Sequence, residues 1–373
     1  MLHFTQLSHW ERRYYLDHID FCIVGAGIIG MCTALSLKSR YPSAKILLLE
    51  RGYIPTGAST KNAGFACFGS PTELHDDLQH IPAQKVWETV QMRFEGLKRL
   101  QNWVSPEQMR YRPCGSYDLI RQGKEKLPDE FIAYLNQELM HVIGINNVYS
   151  TQKEALENFG FSGFQNAYFN KAEGSLETDF LIEGLYKRCV QDDIRFLFST
   201  SMLDFESDAA AVTLETTNGP LTCQHLFLCT NGFSQRYFPD ELKPARAQVL
   251  VTKPLNHTIR GTFHLDEGYY YFRDIGERIL FGGGRNLDFE TESSTEFEAN
   301  SNILNVLEAR LRNEILSGLA VEIEHSWSGI MSVGAEKKPI IRSLNKNVHA
   351  GVRMGGMGVA IGAAVGHQLS QLV

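Results

Sequence analysis

Gly25, Gly27 and Gly30 stand in the spacing GxGxxG, and Glu50 follows twenty residues after the last of them. The stretch "DFCIVG" leading into the first glycine is a short apolar run, which predicts a buried parallel strand. "IIGMCTALSLKSR" then repeats apolar residues at Ile29, Ala34, Leu35 and Leu37 with helical spacing and gives way at Pro42, and "AKILLLE" reads as a second buried strand. Gly25 permits a tight strand-to-helix turn, Gly27 lets a pyrophosphate reach the backbone, and Gly30 lets the helix pack closely on the sheet. The helix start, from Gly27 through Ile29, offers unpaired N–H groups and a positive dipole end to phosphates. Glu50, with Arg51 beside it, is placed to accept hydrogen bonds from an adenosine ribose. An acid there disfavours a 2′-phosphate, so NADP is not expected. Strand, helix, second strand and acid at these intervals predict a bound dinucleotide, and they leave NAD and FAD both open.

The next segment, "RGYIPTGASTKNAGFACFGS", separates the two. It is rich in small residues, so it can lie against a flat cofactor and bond to it through the backbone. Ser59, Thr60 and Asn62 add short polar arms, and Lys61, Ala63 and Gly64 complete the loop. An NAD enzyme would place the next helix of a repeated βαβ unit here.

In this order, "GAGIIG", "LLER" and "GASTKNAG" resemble the D-amino-acid-oxidase-like family of FAD-dependent oxidoreductases, which includes glycine oxidase and sarcosine oxidase. Further pieces follow in the family's order. The strand near Met202 is similar to the one that meets the adenine. "HLFLCTNG" matches the turn beside the pyrophosphate with Thr230, Asn231 and Gly232. "WSGIMSVGAEKKPII" is similar to a W-x-G…P-x-I return to the FAD domain through Trp327, Gly329, Pro339 and Ile341. Near the C-terminus Arg353 precedes a glycine turn, Gly355, Gly356, Met357 and Gly358, from which a helix starts at Val359. The resemblance implies that this helix start points at the flavin pyrimidine edge, where its dipole favours the anionic reduced ring.

The resemblance implies FAD held non-covalently, since "SWSGIMSVGAEKK" has no cysteine of the kind that anchors flavin in some relatives. It also implies oxidation of the C–N bond of a small amine or amino-acid-like substrate by hydride transfer to flavin N5. The electron acceptor, O2 or another, is left open. Two other readings also stay open: a flavin-dependent modifier of a larger, tRNA-type substrate, and a non-catalytic FAD-stabilised subunit. Such chemistry needs few acid–base groups from the protein, and no G-x-S-x-G elbow or HExxH motif is present. His75 and His80 read as ordinary histidines, and no metal is expected.

Candidates for the reacting end come from "GYYYFRD". Period-two alternation places Tyr269 and Tyr271 on one face and Tyr270 and Phe272 on the other. Tyr270 and Tyr271 are the pocket-wall candidates, Arg273 could clamp a carboxylate bidentately, and Arg353 is a second candidate clamp. In glycine-oxidase-like members an arginine stands two residues after the glycine of W-x-G. Met331 occupies that position here, which turns the expectation away from a plain small α-amino acid. Arg342 stands where the family has a glycine after P-x-I.

The resemblance implies an α/β fold: a Rossmann-type FAD-binding domain with a second, antiparallel-sheet substrate domain inserted. The expected partition is 1–75, 172–235 and 322–373 for the FAD-binding domain, with 76–171 and 236–321 for the substrate domain. Asn218-Gly219 signals a hairpin. "STEFEANSNILNVLEARLRNEIL" reads as a helix with Ile303, Leu304, Leu307 and Leu311 on its apolar face. The chain has 373 residues, 43% of them hydrophobic, ample for a buried core, and a net charge of −7, which argues against a nucleic-acid partner. Seven cysteines without a CxxC pair read as free thiols in a reducing compartment. The first twenty residues lack the apolar core of a signal peptide, and no run is long and apolar enough to span a membrane, so a cytoplasmic location is expected.

Overall fold

A computed structural model describes residues 3–256 and 259–373. The chain opens with α1 (His9–Glu11), β1 (Ile19–Val24), α2 (Ile28–Arg40), β2 (Ile46–Leu49), α3 (Ala58–Lys61) and β3 (Phe65–Ala66). It continues through α4 (Pro71–His80), α5 (Ala83–Trp103), β4 (Ser116–Arg121), α6 (Asp129–Ile143), β5 (Tyr149–Thr151), α7 (Lys153–Phe159), β6 (Phe164–Asn170) and β7 (Gly174–Ser175). Next come α8 (Thr178–Gln191), β8 (Arg195–Leu197), β9 (Met202–Ser207), β10 (Val212–Thr216), β11 (Leu221–Leu228), β12 (Lys243–Thr252), β13 (Thr262–Leu265), β14 (Tyr270–Ile275) and β15 (Arg278–Gly283). It ends with α9 (Ser301–Arg310), β16 (Ile323–Val333), β17 (Ile340–Ser343), β18 (Val348–Val352) and α10 (Gly358–Ser370).

The first sheet has the order β17-β18-β11-β1-β2-β8, and the β9–β10 hairpin joins it beside β11. β1 runs parallel to β2 and β11, β2 to β8, and β11 to β18. Its central strands are apolar at nearly every position because both faces are covered. Ile23, Leu35, Phe227 and Val365 belong to the core on the helical face, and Cys22, Leu47, Leu226 and Val348 to the core on the other. Glycines let the helices cross closely: a Cβ on Gly366 would stand 2.7 Å from the Thr33 amide nitrogen, and one on Gly96 of α5 would stand 2.1 Å from the Ala360 carbonyl oxygen. Thus α5, from the stretch expected in the substrate domain, lies against α10 over the first sheet.

The second sheet has the order β16-β12-β15-β14-β13-β4-β6-β5 and is antiparallel apart from β13 with β4. The period-two stretches around Ala245 and Tyr271 form β12, β14 and β15, as their alternation predicts. One face buries an aromatic and aliphatic core that includes Phe263, Phe272, Phe281, Ile303 and Leu307, with Phe263 and Phe272 stacked at 4.5 Å. Asn300 caps α9, its side chain accepting the Asn302 and Ile303 amides.

Two elements differ from expectation. The Asn218-Gly219 signal does make the β10–β11 hairpin, but through a four-residue loop, 217–220, with Gly219 at φ +120°. The Trp327–Gly329 segment does not return to the first sheet: β16 pairs with β12 from Ile323 to Val333, and the crossing comes after Gly334, with β17. The long ladder with β12 keeps this stretch on the second sheet, where the motif alone suggested the return to the FAD domain. Among the described residues no helix is long and apolar enough to cross a membrane.

Candidate cofactor and substrate site

The glycine turn at the end of β1 is shaped by contacts that admit no side chain. Gly25 has φ +106°, and a Cβ there would lie 2.7 Å from the Cys229 carbonyl oxygen. A Cβ on Gly30 would lie 1.9 Å from the Gly25 carbonyl oxygen, and one on Gly27 would lie 2.6 Å from Ser59 Oγ. The Ile28 amide donates to Ser59 Oγ at 2.9 Å, while the Gly27, Ile29 and Gly30 amides find no acceptor among the described residues. The Ile29 side chain itself belongs to the core. Glu50 is buried, and its carboxylate accepts the Ala26 amide at 3.3 Å and the Gly52 amide at 3.0 Å. The Thr200 and Ser199 amides donate to the Glu50 and Gly52 carbonyls, just before Met202 opens β9. The Arg51 guanidinium lies 3.9 Å from the centre of the Phe233 ring.

The later pieces converge on the same region. Thr230 bonds Ser234 Oγ at 2.6 Å, and Asn231, with φ +43°, takes hydrogen bonds from the Ser332 hydroxyl and the Met354 amide. A Cβ on Gly232 would stand 2.5 Å from the Met331 carbonyl oxygen. The Gly355 amide donates to the Ser332 carbonyl at 3.1 Å, which seats the Gly355–Gly356 turn, both residues at positive φ, on β16 ahead of α10.

In the small-residue loop, Asn62 Oδ1 accepts the Gly64 amide at 2.9 Å and the Thr178 hydroxyl at 2.8 Å. The Thr60 hydroxyl donates to the Pro55 carbonyl at 3.1 Å. Arg273 is not the free clamp that its sequence position suggested. It is 1% exposed, its Nη1 donates to the Gly64 and Leu176 carbonyls at 3.0 and 2.6 Å, its Nε to the Asp274 carbonyl at 3.0 Å, and its Nη2 to Glu177 at 2.6 Å. It braces the loop at Ala63 and Gly64. Arg353 is also occupied: Nε and Nη2 donate to the Lys338 carbonyl at 3.0 and 2.8 Å, and Nη1 to the Glu241 carbonyl at 2.9 Å. Arg342, unexplained in the sequence, pairs with Glu241 at 2.6 Å and lies over the Phe238 ring.

Strand register defines the face that meets this loop. Direct pairing puts Trp327 opposite Val249, Gly329 opposite Ala247 and Met331 opposite Ala245, and continues the row through Gly282, Tyr271, His264 and Asp118. Trp327 Nε1 donates to the Lys61 carbonyl at 3.0 Å, and a Cβ on Gly329 would stand 2.9 Å from Lys61 Cβ. The Phe65 ring meets His264 edge-on at 5.1 Å and Tyr271 at 5.5 Å. This face therefore has a floor of small residues, Ala245, Ala247, Gly282 and Gly329, walled by Tyr271, His264 and Phe65. Tyr270 points the other way into the aromatic core, with the Arg310 guanidinium 3.9 Å from its ring centre. Of the four expected catalytic residues, only Tyr271 presents a side chain to the small-residue floor.

Burial sets the protonation states along the row. It pushes the Tyr271 phenol up to about 12 and the His264 imidazole down to about 4, so both are neutral near pH 7. His264 Nε2 has no partner among the described residues. Burial raises Asp118 to about 6 against the hydrogen bonds from the Thr72 amide and hydroxyl at 2.9 and 2.8 Å. Behind the loop lies Glu173, pushed up to about 7 by burial although it accepts the Phe68 and Gly69 amides and the Ser116 hydroxyl. Burial would also raise Glu73, but Arg93 at 3.2 Å and Lys337 at 3.4 Å outweigh it and hold the carboxyl at about 2. Sequence reasoning missed all four of these acids and histidines. His75 rests edge-on against Phe131 and His80 is exposed, both on α4, and the seven cysteines are unbridged.

The glycine turn, the loop and the second sheet share one cavity of about 670 Å³, lined among others by Ala26, Thr60, Asn62, Ala63, Trp327 and Phe198. The sequence profile described as FAD dependent oxidoreductase matches residues 20–372. The chain belongs to that family. The protein named "Probable oxidoreductase OrdL" from Haemophilus influenzae is 20% identical over 405 residues, covering 100% of this chain and 90% of its own length. The sarcosine oxidase subunit beta of Rhodobacter capsulatus is 20% identical over 358 residues, covering 90% and 80%. Glycine oxidase from Geobacillus kaustophilus superposes with a TM-score of 0.74 at 17% identity, covering 95% of this chain and 94% of that one. The expected α/β fold is therefore the fold of this FAD-dependent family, and its cofactor suits the site. The Gly27 cradle and the unsatisfied amides of α2 fit a pyrophosphate, the buried Glu50 a ribose, and the small-residue loop that lines the cavity at Thr60, Asn62 and Ala63 a flat ring.

Proposed function

We propose that this protein oxidises the C–N bond of a small amine or amino-acid-like substrate with FAD as the two-electron acceptor. The observation that carries this reading is the face opposite the Lys61 loop: a flat, small-residue floor beside Tyr271 and His264, two neutral polar side chains. FAD, when bound, supplies the electron sink for the oxidation. The chain's own residues supply placement. Gly25, Gly27, Gly30 and Glu50 would hold the ADP end, and Ser59 to Gly64, Gly329 and the Gly355–Val359 turn the flavin end. Tyr271 and His264 orient the substrate over the floor, and their neutrality lets an uncharged amine sit there without a competing charge. The names of the relatives, sarcosine oxidase and glycine oxidase, support the substrate class.

The test is anaerobic absorbance of the FAD-loaded protein during addition of amino acids, N-methyl amino acids and polyamines. Bleaching of the flavin band by one class is the expected result. Absence of bleaching across the panel, with dithionite still reducing the flavin, would sink the reading.

A further inference from the structure

Beside the second sheet stands a half-buried cation, Arg285, that has no counter-ion among the described residues. Each arginine within the sheet's strands is paired: Arg121 with Asp266, Arg246 with Glu292, Arg273 with Glu177, and Arg278 with Glu324. The guanidinium of Arg285, two residues past the end of β15, makes no hydrogen bond or ion pair among the described residues. It is half-buried, and that burial lowers its guanidinium below the ordinary value. Its neighbouring acid, Glu292, is fully occupied: Arg246 donates to it twice, at 2.9 and 3.0 Å, Gln248 at 2.6 Å and Asn300 at 3.0 Å. A partly desolvated cation with no partner is unfavourable unless something anionic completes it.

Its position is fixed. Gly284, at φ +79°, bends the chain out of β15, and its amide donates to the Tyr269 carbonyl at 3.1 Å. The Arg285 guanidinium lies 4.6 Å from the centre of the Phe289 ring, and the Tyr269 ring meets the same Phe289 edge-on at 6.1 Å. Tyr269, in the turn just before β14, is 40% exposed, with a hydroxyl that has no partner among the described residues. A cation and a phenol thus meet at one ring, at the ends of the two strands that carry Tyr271 and Gly282 of the floor. In the strand order β16-β12-β15 they stand two strand spacings, about 10 Å, from the strand of Met331.

We propose that Arg285, with the Tyr269 hydroxyl, anchors a carboxylate of the substrate, and that the substrate is an amine whose carboxylate stands several bonds away from the oxidised carbon. This rests on the amine-oxidising reading above and names its substrate class. Met331 leaves no cation where an α-carboxylate would be held, and Arg285 stands instead at the end of β15.

The test uses the FAD-loaded wild type, Arg285→Ala, Arg285→Lys and, as a control, Arg278→Ala, whose arginine pairs with Glu324 at the surface. Anaerobic flavin bleaching is followed with γ-aminobutyrate, ε-aminocaproate, butylamine and alanine. Butyrate, which cannot be oxidised, is titrated by its perturbation of the flavin spectrum, a readout that requires no turnover. The expected result is that the ω-amino acids bleach the flavin at lower concentration than butylamine or alanine. Arg285→Ala then raises their half-saturating concentration and the butyrate Kd by about tenfold or more, the scale of one charged hydrogen bond. The limiting bleaching rate and the response to butylamine hold, Arg285→Lys recovers part of the loss, and Arg278→Ala matches wild type. If the amines bleach the flavin equally well in Arg285→Ala, or if alanine is preferred and indifferent to Arg285, the anchor is overturned while the amine-oxidising reading stands. If no amine bleaches the flavin but butyrate binding still depends on Arg285, the anion site stands and the amine-oxidising reading falls. Loss of both responses in the wild type overturns both.

Discussion

Glu173 offers a perturbation whose size and sign can be worked from its surroundings. It is 0% exposed between β6 and β7, and one carboxyl oxygen accepts the Phe68 amide at 2.7 Å and the Gly69 amide at 3.0 Å, while the other receives the Ser116 hydroxyl. Burial takes it from the ordinary 4.5 to about 7. Between those values the unfolded chain has released the proton and the folded chain still holds it. The unfolded state then binds fewer protons, so stability falls as pH rises from about 4.5 through 7 and stays lower above it. At about 1.4 kcal/mol per tenfold change in proton concentration, the loss is roughly 3 kcal/mol. Glu173→Gln keeps an oxygen for the two amides and an NH2 toward Ser116 without carrying charge. Urea unfolding of both proteins, with fixed excess FAD, at pH 5, 6, 7 and 8 isolates this contribution. The variant should match wild type or fall slightly below it at pH 5 and gain on it by most of those roughly 3 kcal/mol by pH 8. A difference between the two proteins that does not change with pH would refute the reasoning, because the three donors would then be outweighing burial.

Four further outcomes are expected. Gly30→Ala puts a methyl group against the Gly25 carbonyl and should yield protein without FAD, whereas Gly57→Ala, with nothing within 4 Å of the new atom, should carry FAD as wild type does; absorbance of the purified proteins decides. Arg273→Leu strands Glu177 and the carbonyls of Gly64 and Leu176 and should lower stability by about 3–5 kcal/mol in urea unfolding. Unchanged stability with a raised half-saturating substrate concentration would restore Arg273 as a substrate clamp. Tyr271→Phe should slow flavin bleaching by the substrate, whereas Tyr270→Phe, which removes a buried hydroxyl with no well-formed hydrogen bond among the described residues, should leave it unchanged and shift stability by less than about 1 kcal/mol. Acid precipitation should leave a colourless pellet and a yellow supernatant, because β16 contains no cysteine and burial raises the thiol of Cys67; a yellow pellet would show a covalent bond.

What the sequence revealed and what it concealed follow from the reach of the forces involved. β1, the glycine turn, α2, β2 and Glu50 could be read because each part acts on near neighbours: Gly30 meets Gly25, and Glu50 meets Gly52. The Gly355–Val359 turn was legible for the same reason. Arg273 was not, because its partners come from residues 64, 176 and 177, and only the folded chain shows that they occupy both of its Nη atoms. Arg353 misled in the same way through Lys338 and Glu241. The alternation in "GYYYFRD" gave two faces but not which one was core; that is set by α9, which lies beyond it in sequence. His264 and Asp118 carry no motif, and they become neighbours only because β13 pairs in parallel with β4 across about two-fifths of the chain.

The strand that opens the cofactor site completes its pairing late in the chain. β1 needs β11 on one side, β11 needs β18, and α2 is covered by α10. During synthesis the apolar surface of α2 therefore leaves the ribosome long before residues 358–370 exist to cover it. At roughly 5–20 residues per second that interval is on the order of 15 to 70 seconds. Over that time the nascent chain exposes a helix buried along most of its length in the finished protein, a natural target for chaperones. A message truncated before α10 would encode every residue of the GxGxxG turn and still yield a chain unable to retain flavin. Cofactor capture is then expected only of molecules whose translation has run through α10, which the flavin content of a chain ending before residue 358 would check.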